Sequence, residues 1–149
     1  MRVSTTAELG AQQKAWKSVD EAVGAYWESA GMSPQERITN GYLFVIFTMA
    51  QAGFAMAQGD VVLNDFAAKL GKAKILQNAE MIYRFLLQIW TMDKYPSLSI
   101  MVRRALVDAL VLSAHFESGQ QATVALGEAA KQSRQVIHDK QMLGDTPTY

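Results

Sequence analysis

Histidines and carboxylates are the only side chains here that could begin a catalytic or metal-binding argument, and their spacing does not sustain one. The chain has two histidines, His115 and His138. A carboxylate-bridged di-iron site in a helical protein uses Glu-x-x-His, which stacks both ligands on one helix face. Leu112 stands three residues before His115, and Gln135 three before His138, so that spacing is absent. Glu117 follows His115 by two residues, which on a helix turns the pair to different sides. Asp20 and Glu21 are adjacent and read as solvated surface, not as a carboxylate dyad. Cysteine is absent, which removes thiol nucleophiles, thiolate metal ligands and disulfides together. No glycine-rich loop follows a strand, so there is no phosphate cradle. Arg103-Arg104 is the one adjacent basic pair, too small a footprint for nucleic acid. The expectation is a chain that is not an enzyme and uses no cofactor and no metal.

The totals lead to a binding protein. Fourteen basic residues balance 14 acidic ones, so no net charge draws the chain to nucleic acid or to an anionic lipid surface. With 149 residues, half of them apolar, it is long enough for one well-packed domain. The opening segment MRVSTTAELGAQQKAW has no apolar run of the secretory kind, so the expected location is cytoplasmic. Eight methionines supply flexible apolar surface, suited either to core gaps or to a face that adapts to a partner.

The elements that must carry such a face all read as helices. Three prolines and no strand-like alternation predict five helical regions, at about 6–29, 34–58, 62–92, 97–117 and 120–143. The first carries Trp16, Val19, Val23, Tyr26 and Trp27 on one stripe. Ser33, Pro34 and Glu36 form a capping box that starts the second, and Gly59 is placed to end it in the left-handed conformation. Leu63, Phe66 and Leu70 begin the third stripe, Gly71 marks a possible bend, and Leu76, Ala79, Tyr83, Leu86 and Trp90 continue it. Pro96 breaks the chain before the fourth helix, whose stripe is Leu98, Val102, Ala105, Ala109, Leu112 and Phe116. Leu126, Ala129, Ser133, Val136 and Ile137 give the fifth a narrow stripe, closed by Gly144. Short loops between long helices predict one all-α domain over 1–149. Its architecture is an antiparallel up-and-down bundle of four to five helices, with a short N-terminal end over about 1–5 and a tail over about 144–149.

Residues 38–59 contain no charge, and about 22 helical residues are long enough to cross a bilayer. Two observations favour a helix inside a bundle instead. No cluster of Lys or Arg flanks the run, and Asn40, Gln51 and Gln58 gather in one wedge, as on a helix with a strip near water. Ile38, Tyr42, Val45, Met49 and Met56 form one apolar face; Leu43, Phe47 and Phe54 form a second, nearly opposite. One of the two needs cover from other helices, from a partner or from a second copy.

The stretch AYWESAGMSPQERITNGYLF, with Tyr26, Ser33-Pro34 and Tyr42, resembles the flagellin export chaperones (FliS type). Gly59-Asp60, Lys72-Ala73 and Met92-Asp93 resemble that family's acidic turn, Lys-Ala pair and Leu-Asp helix ending, and 98–112 is similar in outline. The sequence departs from it at Tyr42-Leu43-Phe44, where the family has Tyr-Asp-Gly. A flagellar regulator family (FlaF type) is similar over parts of 33–116. The first resemblance implies a cytosolic bundle that binds the amphipathic helical end of an exported subunit and keeps it from polymerising. It implies a groove lined by Tyr42, Val45, Met49 and Met56, with Ile82 and Phe85 opposite, though each is equally placed to be core. Two other readings stand beside it. One is a self-associating structural or regulatory helical protein, of phage or mobile-element type; the other is a membrane-anchored component through 38–59.

Overall fold

Ser33 starts the first long helix of the structure, a computed structural model that describes residues 28–59, 66–117 and 119–144. Its Oγ accepts from the Glu36 amide at 3.2 Å, and Pro34 occupies the first turn, where its missing N–H costs nothing. The helix, α1, spans Pro34–Gln58. It is followed by α2 (Phe66–Ile89), α3 (Pro96–Phe116) and α4 (Gln120–Met142), with a short 3₁₀ turn, Ser29–Gly31, ahead of α1. Contacts run α1 to α2, α2 to α3 and α3 to α4, as in an antiparallel up-and-down four-helix bundle. The helix expected over about 6–29 lies outside the described residues up to residue 27, as do Leu63 and the tail from 145.

Two of the expected helix ends show different outcomes. Gly144 takes φ of 67° just past α4, the left-handed conformation that glycine adopts without strain. Gly59 does not take the left-handed conformation expected of it. Its φ is −59°, its amide bonds the Met56 carbonyl at 3.2 Å, and its own carbonyl accepts from Lys72 Nζ. Lys72, early in α2, thus closes the end of α1, where a cation meets the negative pole of the helix. Gly71 lies inside α2 without ending it.

Buried side chains from all four helices meet in one core. Leu43, Phe47 and Phe54 of α1 join Leu76, Tyr83, Leu86 and Trp90 of α2, then Leu98, Val102 and Leu106 of α3, with Ala129 from α4. The α2 stripe from Leu76 to Trp90 is therefore as the periodicity predicts. Gly53 allows α2 close to α1: a Cβ there would stand 3.1 Å from Ile75 Cγ2.

Among the described residues α1 packs on α2 and only slightly on α3. Two expectations are corrected. First, the amide wedge does not face water as a group. Asn40 is buried and accepts from Trp90 Nε1 at 3.0 Å, while Gln51 is half-buried and accepts from the Tyr83 hydroxyl; Gln58 alone is exposed. Buried indole and phenol groups need hydrogen-bond partners, and the amides supply them. Second, α4 is rotated from its expected stripe. Leu126 and Ile137 are exposed, while Gln132 and Asp139 turn inward with Ala125, Ala129 and Val136. Arg103 of α3 meets this inward polar face: it donates to Gln132 and pairs with Asp139 at 3.7 Å.

Candidate functional site

The two apolar faces of α1 have different fates, and the difference defines the site. With Leu43, Phe47, Ala50, Phe54 and Ala57 turned into the core, the opposite face stands in solvent. Ile38 is 63% exposed, Tyr42 72%, Val45 57%, Met49 66% and Met56 66%. Ala52, also exposed, fills the gap between Met49 and Met56. Together these six residues make an unbroken apolar stripe, about 27 Å long at the rise of an α-helix. A contiguous apolar surface of that length is more than the scattered exposure ordinary for a globular protein. Among the described residues α1 is also the one helix long and apolar enough to cross a bilayer.

Spacing within the stripe is regular. The steps from 38 to 42, 45, 49, 52 and 56 alternate four and three, the pattern of the a and d positions of a coiled coil. The flanking positions carry no charge: Thr39, Ile46 and Gly53 lie on one side, Gly41, Thr48 and Ala55 on the other. The Thr48 hydroxyl donates to the Phe44 carbonyl of its own helix at 2.9 Å, so it asks little of a partner. A Cβ at Gly41 would meet nothing within 4 Å, which leaves that flank open to close approach.

Of the residues proposed to line a groove, Tyr42, Val45, Met49 and Met56 fall together on this stripe. Ile82 and Phe85 belong to α2. Antiparallel pairing sets Phe44 against Trp90 and Gly53 against Ile75, which brings 82 and 85 to the height of Val45 and Met49. Ile82 is half-buried against the core; Phe85 is about half exposed. Phe85 also lines a shallow concavity of about 420 Å³ with Gln77, Glu80, Met81, Arg84 and Gln88, all from α2. Ile38, already grouped with this face by periodicity, and Ala52 complete the stripe; the four-three alternation was the signal that could have added Ala52.

Polar groups elsewhere hold helices together. Glu28 accepts from the amides of Ser97 at 2.9 Å and Leu98 at 3.1 Å, supplying the first turn of α3 with the acceptor that Tyr95, at its N-cap, does not provide. Glu36 accepts from the Tyr95 hydroxyl at 3.2 Å and ties α1 to the same turn. Arg84 meets Glu128 at 3.4 Å between α2 and α4. Glu128 in turn accepts from Gln132 at 2.8 Å, which holds its carboxyl below the usual range, with Arg84 adding to the effect. Burial raises the Glu80 carboxyl, and the nearby Glu117 charge raises it further, against Arg84 and Ser113, which lower it. One oxygen of Glu80 is buried and has no hydrogen-bond partner among the described residues. Burial also pushes the Tyr83 phenol up, with the Asp108 charge adding to it. Among the described residues no group of three His, Asp or Glu side chains gathers around a point where an ion could sit.

No family model, no curated protein and no solved structure matches this chain.

Proposed function

We propose that the chain is a non-catalytic, partner-binding helical bundle whose docking surface is the outer stripe of α1. The observation that carries this reading is the stripe itself: six exposed apolar side chains in coiled-coil spacing on a helix with no charge from 38 to 59. Such a surface takes a partner's amphipathic helix, with apolar anchors set three and four residues apart. Methionines at 49 and 56 suit a surface that adapts to a flexible guest. The resemblance to flagellin export chaperones extends the proposal to the guest: the amphipathic end of a cytoplasmic subunit held unpolymerised before export. Apolar burial would drive binding and the ordering of the guest would oppose it, so a long contact is needed.

The test is co-purification from the native cell, with and without Tyr42→Glu. The wild-type chain should recover a secreted or filament subunit, and Tyr42→Glu should recover none while keeping its helix content, since Tyr42 is mostly outside the fold. Recovery of no such subunit by the wild type ends the export reading. Unfolding of Tyr42→Glu would place the residue in a core and remove the docking surface.

A further inference from the structure

We infer that two copies of this chain close their α1 stripes on each other, antiparallel and centred on Phe47, into a homodimer that a client helix must open. The inference rests on the reading of the stripe as a docking surface and names its occupant when no client is present. Two observations point to a second copy.

The first is the absence of charge. Coiled-coil partners are usually selected by charged residues beside the seam, and here every flanking position is uncharged, so nothing repels an identical helix. The second is volume. Antiparallel pairing centred on Phe47 sets Ile38 against Met56 of the second copy, Tyr42 against Ala52, and Val45 against Met49. The largest side chain of the stripe then faces the smallest, twice, by symmetry. Parallel pairing would instead set tyrosine on tyrosine and alanine on alanine, crowding one layer and leaving a void in another. Antiparallel helices also align their dipoles favourably.

The paired stripes would bury roughly 1,000 Å², the lower bound for a specific interface, so the dimer is expected to dissociate in the micromolar range and to yield to a competing helix.

Sedimentation equilibrium of the full chain, with the Val45→Arg variant alongside, tests the pairing. The wild type should be dimeric at high concentration. Val45→Arg should weaken association by about 100-fold or more, because it places an unpaired charge in the central layer. Its helical circular dichroism should be unchanged. A wild type that stays monomeric throughout, or a Val45→Arg chain that dimerises as well as wild type, overturns the inference. Loss of folding by Val45→Arg overturns it too, since the stripe would then be covered within one chain. Orientation is read by cross-linking, which the absence of native cysteine makes clean. Ile38→Cys and Met56→Cys should form a disulfide only when mixed; Ile38→Cys cross-linking to itself would mean parallel pairing and overturn the register. The two readings fail separately. A monomer that still recovers an exported subunit loses the dimer and keeps the chaperone, and a dimer that recovers none does the reverse.

Discussion

Phe47 and Met49 are two residues apart on α1 and should respond very unequally to the same substitution. Phe47 is 3% exposed and packs on the Tyr83 ring with centroids 5.8 Å apart; Met49 is 66% exposed. Phe47→Ala removes a ring from a core that cannot fully collapse around the loss, which costs about 4 kcal/mol. In a domain of this size that lowers the melting temperature by roughly 10 °C and removes a large part of an ordinary stability of about 5–15 kcal/mol. Met49→Ala gives up only the buried third of the side chain, less than about 1 kcal/mol, and alanine's better helix propensity offsets part of it. The assay is urea unfolding followed by circular dichroism at two chain concentrations. Phe47→Ala should shift the midpoint equally at both, with the slope unchanged. Met49→Ala should match wild type at the lower concentration and fall behind only at the higher, where dimerisation stabilises the wild type by mass action. A Met49→Ala chain as unstable as Phe47→Ala at low concentration would show that the stripe is core, and the site would be withdrawn.

Two further predictions concern polar groups. Asn40→Leu makes the core more apolar yet should destabilise by about 2 kcal/mol in urea unfolding, because it strands the buried Trp90 indole N–H; adding Trp90→Phe should recover part of the loss, and a more stable single variant would refute the pairing. Glu80 binds its proton more tightly in the fold than at its ordinary value of 4.5, so folding loses stability as pH rises through the raised value. Glu80→Gln should therefore melt higher than wild type at pH 7 and converge with it near about pH 4; equal melting temperatures at both would show that the buried oxygen carries no penalty.

Much of the bundle is legible locally. Ser33, Pro34 and Glu36 start α1 where capping chemistry says they must, because a cap depends only on residues within one turn. Pro96 and Gly144 mark boundaries for the same reason, through backbone geometry that needs no tertiary partner. The stripe from Leu76 to Trp90 is legible because Leu76, Ala79, Tyr83, Leu86 and Trp90 repeat at helical spacing on one face. The candidate site was half legible. Periodicity grouped Tyr42, Val45, Met49 and Met56, yet it assigns residues to a face without assigning the face to a side.

The amino-acid sequence by itself determined four of the helices with their approximate ends, the uncharged run from 38 to 59, and the two apolar faces that run must present. Tertiary structure alone decided which face is core. Both are apolar; the inward face is the one on which Asn40 meets the Trp90 indole, with Leu43, Phe47 and Phe54 buried beside it. Distance in sequence hides such pairs, as it hides Glu28 at the head of α3 and Arg103 drawing Asp139 out of solvent. Each is a contact between polar groups dozens of positions apart in sequence, and only folding brings the two within reach.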